Sequence, residues 1–550
     1  MLKAASVVLS FCCLLAVSKL QSPGSDFPPQ EALDHVRPEG IRADMAFLAD
    51  DLLEGRATGT RGYMLAAKYI GSQYAQLGLK PAGEKGTFYQ TVRLRQFDIE
   101  PEKSSLTFKR NGQEHAQTFE TDYITGGDPL YPDTSFDAPA VFVGYGVTAP
   151  EFKYDDYANA EVKGKVAVMI YGAPGKFPDA PRAHYSSTEC KQRNAVAHGA
   201  VGIVNIWAGP LTERIPFASL IRFYHSPHMR WLDEKGAPNG TFPQLRGSAT
   251  LSVNAAAALF EGAAKPLKAA LEAAEASRPQ SFPLATSVAL HLVSRHSEVE
   301  SPNIAAILPG SDPQLKDQYV VFTAHADHLG IGRPVNGDSI YNGALDDASG
   351  VAGILAIARS LSQLHPAPRR SILFLAVTGE EEGLLGSDYF AQHPTVPISQ
   401  IVADVNLDGI TLLYDFRDIV ALGSEHSSIA ADVKDVAAHM RLEVSPDPAP
   451  EEVYFIRSDQ YSFVKQGVPS VFINEGFQTV DPKLDGKKIS EDWEAHYYHL
   501  PNDDMNQPNL HFDAAVKSTR VHLAVGYEIA QDPQPPHWNK GDFFAKFAKP

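Results

Sequence analysis

Tyr319-Val320-Val321-Phe322-Thr323 is an almost uninterrupted apolar run, and Ile372 to Val377, Ile401 to Leu407 and Val468 to Ile473 repeat its character. Runs this short and this continuous read as strands buried on both faces. Helical patterns lie between them: Ala348 to Leu364 carries Val351, Ile354, Leu355 and Ile357, and Glu382 to Gln392 follows the second strand. Strands of this kind alternating with helices form a mostly parallel sheet covered on each side. The expected fold class is therefore α/β, three layers deep, with a mostly parallel central sheet. In such a sheet the ligand site lies beyond the carboxyl ends of the strands.

The residues at those ends are chemically consistent. His325-Ala326-Asp327 closes the first strand, and Asp346-Asp347 follows the loop Tyr341-Asn342-Gly343-Ala344-Leu345. Glu380-Glu381 comes just after Val377, and Asn406-Leu407-Asp408 closes the next strand. Tyr498-His499 stands in a loop before Leu500-Pro501-Asn502-Asp503-Asp504. Two histidines and three carboxylates from five such loops suit zinc or manganese rather than an iron–sulfur cluster or haem. Each has an ordinary alternative when taken alone. A histidine after a strand is usually structural, and a glutamate pair at a helix start complements the dipole. An aspartate such as Asp408 commonly caps a turn, and His328 is near enough to compete with His325. Their coincidence at successive strand ends outweighs these separate readings.

Upstream, Pro139 to Pro283 reads as a unit of its own. Val141-Phe142-Val143, Val166 to Ile170 and Val201 to Ile206 are strand-like, and Asn194 to His198 is helical. The Ala-rich stretch Ala255 to Ala276 is helical with breaks at Gly262 and Pro266. A Gly-, Pro- and Asp-rich passage from Gly126 to Ala138 marks the boundary before it. The expected layout is an N-terminal part of the main domain at 26–135, an inserted unit at 136–285, and the body carrying the ligand set at 286–535. From Glu31 to Leu79 the pattern is helical, interrupted by Gly55 to Gly62.

Over 550 residues, 48 Lys and Arg face 66 Asp and Glu, a net charge of −18. Such a chain lacks the basic footprint of a nucleic-acid binder. Met1-Leu2-Lys3 precedes the apolar run Ala4 to Val17, with small residues at Ala16 and Ser18. That is the pattern of a signal peptide over residues 1–18, and it predicts export to the periplasm or the medium. No later run is long enough to span a bilayer, so no stable membrane insertion is expected after cleavage. Cys190 is the only cysteine beyond Cys12 and Cys13, so the mature chain has no intramolecular disulfide.

Three runs together resemble peptidase family M28, the di-zinc exopeptidases that include glutamate carboxypeptidase II and the non-enzymatic transferrin receptor. They are Thr323-Ala324-His325-Ala326-Asp327-His328-Leu329-Gly330, Gly343-Ala344-Leu345-Asp346-Asp347-Ala348-Ser349-Gly350 and Glu380-Glu381-Glu382-Gly383-Leu384-Leu385-Gly386-Ser387. Asn406-Leu407-Asp408, Tyr497 to Asp503 and the N-terminal Leu53-Glu54-Gly55-Arg56 continue the likeness, and the inserted unit resembles a protease-associated domain. The resemblance implies two Zn2+ per chain, with Mn2+ or Co2+ as substitutes. It implies that Asp346 bridges the pair, with His325 and Asp408 on one ion and Glu381 and His499 on the other. Glu380 is then the general base, Asp327 orients His325, Tyr498 hydrogen-bonds the developing oxyanion, and the Asp346–Asp347 peptide is cis. Elementary chemistry agrees: two cations about 3.5–4 Å apart need a shared carboxylate, and a neighbouring one can move the water's proton.

Tyr454, Phe455, Arg457, Asp459 and Phe463, with Phe477, are expected to line the substrate pocket. Negative potential beside the metals favours a free α-amine over a carboxylate, so the expected activity is that of an aminopeptidase acting on peptides with a free N-terminus. A carboxypeptidase of the glutamate carboxypeptidase II type is the alternative. A glutaminyl cyclase would need fewer ligands, and the related family that carries its extra domain between the fourth and fifth ligands differs in where the insert falls. A non-catalytic receptor would require lost ligands, and the sequence retains all five.

Overall fold

The computed structural model describes residues 27–209, 212, 215–223 and 227–548. The signal peptide expected at 1–18 lies outside the described residues.

The apolar runs become the strands of one large sheet. Its members are β1 (Tyr89–Ile99), β2 (Phe282–Leu308), β3 (Tyr319–His325), β4 (Ser371–Val377), β5 (Ile401–Asn406), β6 (Asp418–Leu422) and β7 (Ser470–Glu475). β3 pairs in parallel with β4 and β5, and β5 pairs in parallel with β7. β2 joins β4 antiparallel and β6 joins β7 antiparallel, so the reversed strands flank a parallel centre. Every residue of β4 and β5 is buried, as continuous apolar sequence requires of strands covered on both faces.

The covering helices are α1 (Pro38–Leu48), α2 (Arg61–Gln76), α3 (Gly350–Leu361), α4 (Leu385–Gln392), α5 (Ile429–Met440) and α6 (Phe512–Gln531). Phe322 of β3 stacks on Phe374 of β4 with ring centroids 5.9 Å apart. Burying each such ring stabilises the fold by roughly 1.5–3 kcal/mol. α6 lies close enough that a Cβ at Gly526 would sit 2.2 Å from the Phe322 ring, so only glycine allows that approach. No helix among the described residues is long and apolar enough to cross a membrane.

A second, smaller sheet uses strands from both sides of residue 136. Ser105–Arg110 and Asp133–Phe142 both pair with the first half of β2. Val166–Ile170, Gly202–Ile206 and Ser248–Leu251 extend that sheet in parallel. The 27-residue β2 is thus shared by both sheets, and its burial changes character along its length. Leu284, Val288, Leu290 and Leu292 alternate with more exposed neighbours, whereas Ser301 to Ala306 are buried without a break. The first pattern suits a sheet with one wet face and the second suits the covered centre. The Ala-rich stretch forms two helices, Val253–Leu259 and Leu267–Glu275, broken between them as its Gly and Pro demand.

Candidate metal centre

Because β3, β4 and β5 are parallel, their carboxyl ends open on the same edge of the sheet. His325 is the last residue of β3, Glu380 and Glu381 follow β4, and Asp408 follows β5. The loop before α3 brings Asp346, and the segment before α6 brings His499. Six residues from five segments scattered over the sequence meet there.

Asp346 stands at the middle. Its Oδ1 lies 3.2 Å from His325 Nε2, which is also 3.4 Å from Asp408 Oδ1. Its Oδ2 lies 3.1 Å from His499 Nε2, which is in turn 3.1 Å from Glu381 Oε2. One carboxylate therefore faces two groups, each made of one imidazole and one further carboxylate. The ligand-type atoms of His325, Asp346 and Glu381 all fall within 4.8 Å of one another, as do those of His325, Asp347 and Asp408.

The electrostatics describe a site that demands positive charge. Burial works against an imidazolium at both histidines, yet the carboxylates outweigh it. Glu380, Asp346 and Asp408 hold His325 well above the usual histidine range. Glu381 and Asp346 push His499 up to about 10. The positive charge drawn onto these rings is what divalent cations would supply, with the ring nitrogens then free to ligate. The donor set of imidazoles and carboxylates fits zinc.

The supporting contacts explain how the loops hold their shape. The Asp346–Asp347 peptide is cis. Asp347 is wholly buried and accepts from the backbone N–H of His325 (3.1 Å), Gly350 (2.8 Å) and Gly409 (2.8 Å), tying together three of the converging segments. A Cβ at Gly350 would fall 2.3 Å from that same carboxylate, so the helix start needs glycine. Asp503 accepts from the N–H groups of Leu345 and Asp346 at 2.9 and 3.1 Å. His328 Nδ1 is 2.6 Å from Glu381 Oε1 and 4.0 Å from Asp346 Oδ2, so it braces the Glu381 side of the site.

Asp327 performs a different task from the one expected of it. The nearer partner of His325 Nδ1 is the main-chain carbonyl of Asp327, at 3.3 Å, while the Asp327 carboxylate is 4.0 Å away. That carboxylate instead accepts from the N–H groups of Glu380 and Glu381 at 3.2 and 3.3 Å, and from the Thr58 hydroxyl at 3.2 Å. It orients the glutamate loop. Tyr498 lies over His499, ring centroids 3.9 Å apart, and burial raises its phenol well above the usual range with Arg457 opposing.

Two of the residues expected in the substrate pocket are packed in the interior instead. Phe463 is fully buried against Phe390, and Phe455 is buried against Phe544, Tyr461 and His426. An apolar ring on a short helix or turn beneath a sheet gains more from core packing than from lining a wet cleft. Tyr454 donates to Glu494 at 2.9 Å and carries the Arg457 guanidinium 5.1 Å over its ring. Asp459 is buried, which pushes its carboxyl up to about 7 against the pull of His325. Phe477 is half-buried. Sequence reading assigns no supporting role to Asp347, Asp503 or His328, although all three lie within the quoted runs.

Residues 303–524 match the sequence model of peptidase family M28. Among curated proteins, the chain is 37% identical over 110 residues to a "Probable zinc metalloprotease" of Pyrenophora tritici-repentis, covering 20% of this chain and 24% of that one. It is 25% identical over 256 residues to a "probable leucine aminopeptidase 2" of Aspergillus oryzae, covering 45% and 48%. The matched stretches thus span between about a quarter and a half of the lengths of these relatives. Among solved structures, an aminopeptidase from Aneurinibacillus sp. strain AM-1 superposes with a TM-score of 0.53 at 19% identity, covering 94% of this chain and 98% of that one. At that identity the likeness speaks to the fold. The α/β body that carries the Asp346 cluster is thus similar to peptidase family M28 over residues 303–524.

Proposed function

We propose that the protein is a zinc-dependent aminopeptidase that holds two ions per chain and removes residues from the free N-terminus of peptides. The observation that carries the reading is the position of Asp346 between two imidazole–carboxylate groups. His325 and Asp408 would hold one cation, Glu381 and His499 the other, and Asp346 both, with Mn2+ or Co2+ as substitutes. When bound, such a pair lowers the pKa of a water and polarises the scissile carbonyl.

The protein's own residues have separable tasks. Glu380 is half-buried beside the ligands, and desolvation there holds its carboxyl well above the usual range while His325 opposes. A carboxylate of that basicity suits a group that takes a proton from the attacking water and returns it to the leaving amine. Asp327 keeps it aimed through the N–H groups of the glutamate loop. The Tyr498 phenol stays protonated and can donate a hydrogen bond to the oxyanion. The carboxylates at the mouth favour a protonated or metal-binding α-amine.

Arg457 is the feature that favours a carboxypeptidase, since a guanidinium pairs well with a terminal carboxylate. Its Nη1 is already directed at the Glu452 carbonyl (3.4 Å) and carboxylate (3.7 Å), which weakens that reading. Export through the segment at 1–18 and a protease-associated role for the unit at 136–285 also belong to this proposal.

Hydrolysis of a leucyl or phenylalanyl dipeptide panel with free, N-acetylated and C-amidated ends, with and without chelator, tests it. Cleavage of free-amine substrates, abolished by chelator and by N-acetylation, is expected. Comparable rates on N-acetylated dipeptides would overturn the direction, and chelator-insensitive cleavage would overturn the metal dependence.

A further inference from the structure

The N-terminal motif Leu53-Glu54-Gly55-Arg56 has no part in the chemistry above, yet it is built into the floor of the metal centre. Glu54, Gly55 and Arg56 are all left-handed, with φ of 50°, 69° and 52°. A Cβ on Gly55 would come within 2.4 Å of the Tyr341 carbonyl and 2.7 Å of that of Gly330. The turn is therefore wedged under the segment that leads into the Asp346 loop, and it drives the Arg56 side chain inward to 1% exposure.

The guanidinium makes four hydrogen bonds there, all to neutral acceptors. Nε donates to the Ala326 carbonyl at 3.1 Å, between His325 and Asp327. Nη1 donates to Leu48 at 2.7 Å and to Asn342, and Nη2 to Gly343 at 3.0 Å, at the start of the Asp346 loop. None of these acceptors neutralises its charge, and a buried charge without a counter-ion is costly. The negative groups it faces are Asp327, Asp347, Asp503 and Asp346. All four belong to the acidic centre or brace it.

We propose that Arg56 is a resident counter-charge: a positioning residue that holds the folded acidic centre together before its cations arrive. The proposal rests on reading the site as a two-cation centre. Without cations, the clustered carboxylates repel one another, and a fixed positive charge beneath them offsets part of that repulsion. Once cations are bound, the same charge opposes them. Arg56 therefore makes the metal-free fold more stable and metal binding weaker than either would be without it, two effects linked by one thermodynamic cycle.

The test compares the full chain with Arg56→Gln and Arg56→Lys by thermal unfolding in EDTA and in saturating zinc. Zinc affinity is measured in parallel by competition with a chromophoric chelator. Arg56→Gln is expected to lower the midpoint by several degrees more in EDTA than in zinc. It should also bind zinc at least about tenfold more tightly, the effect of one unit charge on another roughly 12 Å away at an effective dielectric of about 20. Arg56→Lys keeps the charge and loses the fork, so its losses in EDTA and in zinc should be equal. Equal losses for Arg56→Gln in both conditions, with zinc affinity unchanged or weaker, would show that Arg56 acts only as a hydrogen-bonding clamp and overturn the proposal. If Arg56→Gln does not fold in either condition, a larger loss for Arg56→Lys in EDTA than in zinc overturns it. If the parent protein takes up no zinc, the two-cation reading fails separately, and the charge role then stands or falls on whether Arg56→Gln loses more stability in EDTA than Arg56→Lys.

Discussion

Two clusters in this molecule have nearly the same composition. His325, Asp346 and Glu381 bring ligand-type atoms within 4.8 Å of one another, and so do Asp435, His439 and Glu528. The first draws on three separate strand-end and loop segments and is enclosed. The second draws on α5 and α6, and Asp435 and His439 are exposed neighbours one helical turn apart. His439 Nδ1 is also 3.0 Å from the Asp435 carbonyl, and its ring stacks on Phe27 with centroids 4.5 Å apart. Glu528 is buried, but water solvates the exposed Asp435 and His439, and pairs of that kind contribute about 0–1 kcal/mol. In the enclosed cluster the carboxylates cannot be solvated, so they impose charge on their histidines. Enclosure, rather than composition, distinguishes a candidate metal centre from a surface group.

The largest effect that could break this contrast is on turnover. Glu380→Gln preserves size and hydrogen bonding but removes the proton acceptor, and should reduce kcat by at least about 10²-fold with zinc content near that of the parent. Glu381→Gln should instead lose zinc, because a charged ligand is gone. Elemental analysis beside steady-state kinetics separates the two, and equal zinc loss in both variants would reverse the roles assigned to these neighbours.

Metal content itself is the next test. His499→Gln should lower bound zinc from two toward one equivalent per chain. His439→Gln and Asp435→Asn should leave it unchanged and alter stability by no more than about 0.5 kcal/mol. Loss of zinc from the surface variants would erase the distinction drawn here.

A smaller effect sharpens the part played by neighbouring charge. His522 of α6 is as deeply buried as His325, but its polar partners are backbone groups, with Nδ1 donating to the Ser518 carbonyl at 2.9 Å. Burial without a carboxylate partner pushes it down to about 4, the opposite of His499. The folded state then binds fewer protons than the unfolded state between about pH 4 and the unfolded value near 6.5. Stability from this group is full above about pH 6.5 and is lost as pH falls toward 4, by an amount on the order of 3 kcal/mol. Denaturant unfolding of metal-loaded protein across that range should show a shallower decline for His522→Gln than for the parent. Parallel declines would mean that His522 is not held neutral by the fold.

Much of this architecture was legible in the chain. β3, β4 and β5 are continuous apolar runs because both faces of each are covered, and that property is local enough to read from sequence. The strand-end residues were legible for a related reason. A parallel sheet places the ends of those strands on one edge, so His325, Glu381 and Asp408 had to fall near one another once the strands were assigned. Phe455 and Phe463 were misplaced because an aromatic residue in a polar loop looks the same whether it lines a cleft or fills the core. Only the neighbours Phe544 and Phe390, far away in sequence, decide between the two.

What sequence alone determined here is therefore what short-range pattern encodes: apolar continuity, helix breaks at Gly262 and Pro266, and the residue types available at each strand end. Tertiary structure alone decided how those residues divide their work. It set Asp346 between two imidazole–carboxylate groups, turned the Asp327 carboxylate toward the Glu380 and Glu381 amides, and shared one strand, β2, between two sheets. It also carried Arg56 across some 270 residues of chain to the Ala326 carbonyl. Interactions of that kind depend on distances and on exclusion of water, and neither exists until segments remote in sequence have packed together.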